Sequence, residues 1–327
     1  MKAKQNFTVG QPSVTSTYAG EAASGFIAAA LLSANTLDKK YVTIMPNVKY
    51  KSVIQKLDVS GIIQDASCDF LESGSVALSE RVLTPKELQV NLSLCKQEFL
   101  DSWEALSLGF SAFDEIPKNF NDFLISYVGG QVAEATETAI WQGAVTPGNG
   151  SFTGFQAALS ESVSIGGAGA VIAAQADGSS TIISGSIDSS NVLAKLNDIV
   201  ATIPTTVYGK QDLGLYVPTN VVKAYQQALA GGAQGANGFN NMLNVGEKPL
   251  NFNGIEMFHC PGMEASKVVA AQKSNLFFGT GLLSDYNEVR VLDMANIDGS
   301  QNYRIIMRYT AGTQFGIGSD IVYYGAY

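Results

Sequence analysis

Between residues 119 and 142 the apolar positions recur at helical spacing. Phe120, Phe123, Leu124, Tyr127, Val128, Ala135 and Ala139 fall on one broad stripe. Asn119 stands where an N-cap is expected, with Asp122 three residues on. Gly143, followed by Pro147 and Gly148, stops the run. A helix of about 24 residues is ~36 Å long, well beyond the usual length of about three turns. Its other face carries Ser126, Gly129, Gly130 and Ala133. Each internal glycine costs about 1 kcal/mol relative to alanine, and close approach of another backbone is expected to offset that. The helix therefore reads as a girder packed on two sides.

Alternation takes over on either side of it. Over residues 41–57, Val42, Ile44, Val48 and Tyr50 alternate with Thr43, Asn47, Lys49 and Lys51, which predicts a long strand. Pro46 suits an edge or bulge within it. Residues 60–79 are turn-rich. Leu88, Val90, Leu92 and Leu94 then alternate with Gln89, Asn91, Ser93 and Cys95. Two such strands joined by a polar tip predict a long projecting hairpin. Residues 1–17 read as an extended arm, and residues 21–33 and 96–106 as short helices. Residues 151–188 are Gly-, Ser- and Ala-rich with weak strand signals.

From residue 189 the pattern turns to α/β. Val192, Leu193, Leu196, Ile199, Val200 and Ile203 mark an amphipathic helix ended by Pro204. Residues 213–217 form a short buried strand, and 219–230 a helix ended by Gly231 and Gly232. Residues 231–241 are a polar, glycine-rich loop. Strands are expected over 250–258, 268–279, 289–292, 303–309 and 320–324, with a turn at Asp298-Gly299-Ser300. No repeat of 20–50 residues is visible.

Composition sharpens this picture. The chain has 327 residues, 46% hydrophobic and only 15% charged, with 33 glycines. About a quarter charged is usual, so much of the surface is expected to meet other protein. The formal net charge is −9, which excludes an ordinary nucleic-acid reader. The first 60 residues are the exception, with seven lysines against three acidic side chains. Lys39, Lys40, Lys49, Lys51 and Lys56 read as a solvated face open to anions or acidic neighbours. Cys68, Cys95 and Cys260 are odd in number and lack CxxC spacing, which points to free thiols in a reducing compartment. No signal-peptide pattern opens the chain. The apolar stretch 25–34 is too short to span a bilayer. A cytoplasmic setting is expected.

Candidate chemistry is sparse. His259 is the single histidine and is followed by Cys260 and Pro261. Without a second histidine or a ligand-spaced cysteine it reads as structural. No GxSxG motif is present. Gly166-Gly167-Ala168-Gly169 lacks the Lys-Ser/Thr of a phosphate loop. Glu134 and Glu137 share a helix at i, i+3 without a Glu-x-x-His partner, and read as ion-paired or solvated. No catalytic residue, cofactor site or metal site is expected, and the chain is not read as an enzyme. Low charge, a projecting hairpin and an arm with nothing of its own to pack on describe a subunit completed by copies of itself.

In this order the parts resemble the HK97-fold major capsid proteins of tailed double-stranded DNA bacteriophages. The run from Glu87 through Cys95 to Asp101 is similar to the strand returning from that fold's extended loop. The helix over 119–143 is similar to its spine helix, followed by Gly148-Asn149-Gly150. Residues 189–230, with Leu215-Tyr216-Val217-Pro218-Thr219, resemble the helix-strand-helix of its axial domain. The end, from Asn275 through Gly279 and Arg308 to Tyr324, resembles the closing strands of its peripheral domain.

The resemblance implies an α+β, HK97-like capsid fold. Residues 1–40 would be the N-terminal arm and 41–97 the extended β-hairpin loop. Residues 98–150, with the spine helix 119–143, and 276–327 would form the peripheral domain, and 151–275 the axial domain. It implies pentamers and hexamers in an icosahedral shell around double-stranded DNA contacted non-specifically. The implied setting is the virion, assembled in the host bacterial cytoplasm without a membrane. A portal is an expected partner, and scaffolding or decoration proteins are possible ones. The start of the chain leaves no room for a cleaved prodomain, so a mature form or a separate scaffold is expected. An encapsulin-like nanocompartment of the same fold is the alternative, and another self-assembling surface lattice the second.

Overall fold

The alternation read over residues 303–309 extends into a strand of 14 residues, Asn302–Phe315, and one sheet is built around it. Tyr303, Ile305, Met307 and Tyr309 are buried, while Arg304 and Arg308 stay exposed. The computed structural model describes residues 16–19, 34–48, 50–60, 63, 65, 74–95, 118–146, 148, 150–167, 169–177, 179–231, 250–281, 288–294, 297–300 and 302–325. The helices expected over 21–33 and 96–106, and the loop from residue 232 onward, lie outside the described residues.

Among the described residues the strands are β1 (Ser16–Ala19), β2 (Thr43–Met45), β3 (Ser52–Ser60), β4 (Ser75–Leu83), β5 (Lys86–Cys95), β6 (Ile172–Ala173), β7 (Leu213–Val217), β8 (Asn251–Phe252), β9 (Ile255–His259), β10 (Val268–Gln272), β11 (Leu276–Thr280), β12 (Glu288–Asp293), β13 (Asn302–Phe315) and β14 (Val322–Tyr324). The helices are α1 (Asn35–Asp38), α2 (Lys118–Gln142), α3 (Phe155–Ile165), α4 (Val192–Thr202) and α5 (Thr219–Gly231).

The first sheet runs β1-β12-β13-β11-β2, and β5 also pairs with β13. The second runs β6-β14-β10-β7-β9-β8. Strands β3 and β4 form a separate two-stranded ribbon.

The second sheet is buried on both faces. Leu215, Val217, Val268, Ala270 and Tyr324 join a core with α4 and α5. Their neighbours Tyr216, Phe258, Val269, Ala271 and Tyr323 join a second core with α2, α3 and the first sheet. A strand covered on both sides has no polar face to present. That is why β7 and β10 read as almost unbroken apolar runs.

Helix α2 spans 25 residues, or ~37 Å. It begins at Lys118, so Asn119 lies in its first turn and is not an N-cap. Its packed face follows two i, i+4 rows: Val128, Val132, Thr136 and Ile140, and Gly129, Ala133, Glu137 and Trp141. Ala135 and Gly130 are exposed. The sequence reading misplaced the stripe here because Thr136 and Glu137 are polar yet buried. Side-chain surroundings of Phe120, Phe123, Leu124, Tyr127 and Ser126 lie outside the described residues.

A close backbone approach occurs at the end of α2. A β-carbon on Gly143 would lie 1.9 Å from the Phe152 carbonyl oxygen. The Gly154 N–H donates to the Gly143 carbonyl at 2.9 Å. Gly130 has nothing within 4 Å of where a β-carbon would stand.

Five strand readings change. The strand expected over 41–57 is two, divided by a turn in which Asn47 has φ of 62°. Strand β2 lies parallel to β11, with Ile44 opposite Phe278. The hairpin partner of β3 is β4, hidden in the stretch read as turn, with register from Ser52↔Leu83 to Ser60↔Ser75. The expected return strand is β5, and it pairs with β13 from Asn302↔Cys95 to Ala311↔Lys86. The strand over 250–258 folds back on itself at Asn253-Gly254, whose φ angles of 48° and 78° make the tight left-handed turn of a two-residue hairpin. The run 268–279 splits into β10 and β11, which enter different sheets through a 3-10 turn at Lys273–Asn275. The Ala- and Ser-rich stretch after residue 151 holds α3, whose Phe155 and Leu159 are fully buried.

Candidate assembly surface

Where the described chain resumes at Ala34, it is anchored to α2. Helix α1 is too short to hold itself together, so its position depends on side chains. The Thr36 N–H donates to Glu137 Oε2 at 2.9 Å, and the Thr36 hydroxyl to Oε1 at 2.6 Å. Trp141 Nε1 donates to the same hydroxyl oxygen at 3.0 Å. Thr36, Glu137 and Trp141 are all buried. Glu137, read from sequence as ion-paired or solvated, is thus the acceptor that fixes α1. Glu134, one turn earlier, is exposed. Nearer the start of the chain, β1 pairs antiparallel with β12, Ser16 opposite Val291.

An aromatic chain runs through the core that α2 and α3 share with the first sheet. Trp141 lies 5.4 Å from Phe155 and 5.5 Å from Tyr216, ring centre to ring centre. Tyr216 meets Phe258 edge-on at 5.0 Å, and Phe258 stacks on Tyr41 at 4.5 Å. The Tyr216 hydroxyl donates to the Tyr41 carbonyl. Lys273 Nζ stands 4.4 Å over the Phe258 ring. Burial, then Cys260 and Glu256, pushes the Tyr41 hydroxyl up to about 12. Gly214 makes the joint possible, since a β-carbon there would sit 1.8 Å from the Phe258 ring.

His259 and Cys260 do not act as a pair. His259 Nε2 lies 2.9 Å from Thr219 Oγ1. Burial, and then Lys39, lowers its pKa from the ordinary value. The Cys260 thiol is fully buried, and burial followed by the Glu137 carboxylate pushes its pKa well up, away from a reactive thiolate. Gly166, Gly167 and Gly169 follow a helix rather than lead into one, so their backbone offers no phosphate cradle. Among the described residues no three His, Cys, Asp or Glu side chains converge as metal ligands do. No described helix is long and apolar enough to cross a membrane. Of the basic stretch, Lys39, Lys40 and Lys51 are exposed, Lys56 is half-buried, and Lys49 lies outside the described residues.

Among the described residues the ribbon presents exposed apolar side chains. At nine residues per strand it projects ~30 Å. Near its base Arg81 lies over the Phe315 ring at 4.0 Å, and Gln314 Nε2 donates to the Val82 carbonyl at 3.0 Å. The face turned the other way pairs Val53 with Val82 and Gln55 with Glu80, and carries Leu78. Val53 is 49% exposed, Leu78 61% and Val82 40%. The apolar face expected on the hairpin, from Val42 and Leu88 onward, is different. Val42, Val48 and Leu88 are buried in the chain's own structure, Ile44, Val90 and Leu94 are partly buried against its own core, and Leu92 and Tyr50 are exposed. The sequence reading chose the more regular alternation, and that alternation belongs to the core-facing strand β5. Val53, Leu78 and Val82 carried only a broken period-2 signal.

No family model matches the sequence, and no curated protein is similar to it. Solved structures are. The chain aligns over 99% of its length with 94% of a chain from the capsid of an empty GTA particle, at 12% identity and a TM-score of 0.54. It aligns over 92% with 97% of a chain from the procapsid of satellite phage P4, at 10% identity and a TM-score of 0.57. It aligns over 89% with 91% of a chain from the capsid of Myoviridae phage XM1, at 11% identity and a TM-score of 0.52. The fold is the α+β, HK97-like capsid fold.

Proposed function

We propose that this chain is a structural shell subunit, assembling with copies of itself into pentamers and hexamers of an icosahedral phage capsid around double-stranded DNA. The observation that carries this is the fold match along nearly the whole of both chains in three capsid structures. The exposed Val53, Leu78 and Val82 on a ~30 Å ribbon support it, because an unpartnered apolar ribbon invites association. The buried thiol of Cys260 and the hydrogen-bonded, core-facing Glu137 fit a scaffold rather than a catalyst.

The same reading assigns 1–40 as N-terminal arm, 98–150 with 276–327 as peripheral domain, and 151–275 as axial domain. Pairing of β2 with β11 and of β5 with β13 supports narrowing the extended loop from 41–97 to about the β3–β4 ribbon. Pairing of β14 with β10 supports a terminal strand shared with the axial sheet. Portal, scaffold or decoration proteins and the packaged DNA are its partners in this reading, and the virion its location. The phage particles among the similar structures favour a virion over an encapsulin-like compartment.

Sedimentation velocity on the purified chain tests the proposal. Species of pentamer or hexamer mass and above are expected at micromolar concentration. A lone species of 34.5 kDa across a range of salt would contradict it.

A further inference from the structure

Helix α1 is a single turn of four residues, and groups outside it hold it in place. Thr36 is tied to Glu137 of α2. Asn35 Nδ2 donates to the carbonyl of His259 at 2.6 Å. His259 ends β9 and lies opposite Val217 of β7 in the parallel pair. Its ring turns to α5, with Nε2 2.9 Å from Thr219 Oγ1. One residue thus meets α1 through its backbone and α5 through its imidazole.

The surroundings suit a neutral imidazole. His259 is half-buried. At Thr219 it meets the first turn of α5, where a helix carries partial positive charge. A neutral Nε2 can accept from the Thr219 hydroxyl, and a protonated one cannot. Lys39 caps α1 and acts on the ring in the same direction as burial. The other charged groups around the contact do not offset it. Asp38 of α1 and Lys223 of α5 are exposed. Glu137 of α2 accepts from Thr36, and Glu256 of β9 pairs with Lys273 at 3.5 Å. The neighbouring Cys260 thiol is pushed up by its burial.

We propose that His259 is an acid-operated latch on α1. While its imidazole is neutral, α1 stays docked on the end of β9. When the imidazole takes up a proton from solvent, the new cation stands beside Lys39 and the start of α5, and α1 lets go. No covalent bond changes. Opening α1 takes Lys39 away from the ring and admits water to it, so the open form binds the proton more tightly than the closed one. Below the ordinary value of 6.5 the open form therefore gains up to about tenfold per pH unit, until the lowered value of the closed form is reached. The latch belongs to the folded subunit and does not depend on the shell function.

Hydrogen exchange read by mass spectrometry tests it, on peptides spanning 34–41 at about pH 7.5 and about pH 5.5, either side of the histidine range. Wild type and His259→Gln are compared at the same pH, which cancels the intrinsic pH dependence of exchange. The amides of Asp38, Lys39 and Lys40 donate to Ala34, Asn35 and Leu37. Their loss of protection on acidification is expected to be roughly three- to tenfold greater in the wild type than in His259→Gln. Peptides of β7 and β10 should differ little, because the opening is local. Lys39→Gln removes the repelling charge and leaves the imidazole in place, so the acid-induced loss should shrink. It carries the test alone if His259→Gln fails to fold. The same loss in His259→Gln as in the wild type would overturn the latch. So would a loss shared equally by β7 and β10, or one that Lys39→Gln leaves unchanged. The shell function stands or falls separately, by sedimentation.

Discussion

A β-carbon on Gly262 would lie 2.3 Å from the carbonyl oxygen of Glu137. The loop after β9 therefore presses on the backbone of α2, and Gln142 Nε2 holds it there by donating to the Gly262 carbonyl at 2.7 Å. Here the helix is approached closely by a glycine outside it. Gly262→Ala is expected to lower stability by about 1–3 kcal/mol, because the opposing atoms are backbone and cannot turn aside. Gly130→Ala, with open space around it, is expected to raise stability by about 1 kcal/mol through helix propensity. Urea melts of the unassembled chain measure both, and equal effects would contradict the packing described.

Glu137 anchors the arm through two hydrogen bonds from Thr36. Glu137→Ala leaves a buried N–H and hydroxyl without their acceptor and is expected to cost about 2–4 kcal/mol. Glu137→Gln keeps an acceptor oxygen and should cost less. Limited proteolysis near residue 34 should report the loosened arm. Unchanged protection in Glu137→Ala would show that the arm is held elsewhere.

His259 makes stability depend on pH. Burial and Lys39 lower its pKa in the folded chain below the ordinary 6.5, so the unfolded chain binds the proton first as pH falls. Stability is full above 6.5 and declines below it, down to the lowered folded value. His259→Gln retains a polar group facing Thr219 and should flatten the decline below the ordinary 6.5. Melting temperatures of the two proteins across that range decide it, and parallel curves would clear His259 of the effect.

Elements with a single demand on them were legible in the sequence. Helices α4 and α5 each bury one stripe, and β5 and β13 each alternate, so period and cap residues located them. Elements serving two partners were not. Strands β10 and β11 read as one because Lys273–Asn275 turns the chain between sheets without glycine or proline. Helix α3 was missed because its small residues give little amplitude and its Gly154 cap donates no side chain. The burial of Glu137 was not readable because its partner Thr36 is 101 residues away. The Asn253-Gly254 turn was readable and was passed over.

Val53 and Leu78 lie on the exposed ribbon face. Changing both to Thr should alter the stability of the unassembled chain by no more than about 0.5 kcal/mol per site. Assembly should weaken markedly, since burying each apolar side chain contributes about 1.5–3 kcal/mol. Thermal melting and sedimentation read the two effects separately. A large drop in melting temperature would place this face in the subunit's own fold.

Electron microscopy of the purified chain tests the shell function most directly. Closed icosahedral particles are expected, with density for the β3–β4 ribbon lying on an adjacent subunit, and with DNA inside particles taken from infected cells. Monomers alone, open sheets, or particles filled with a protein cargo instead of DNA would contradict a phage shell subunit.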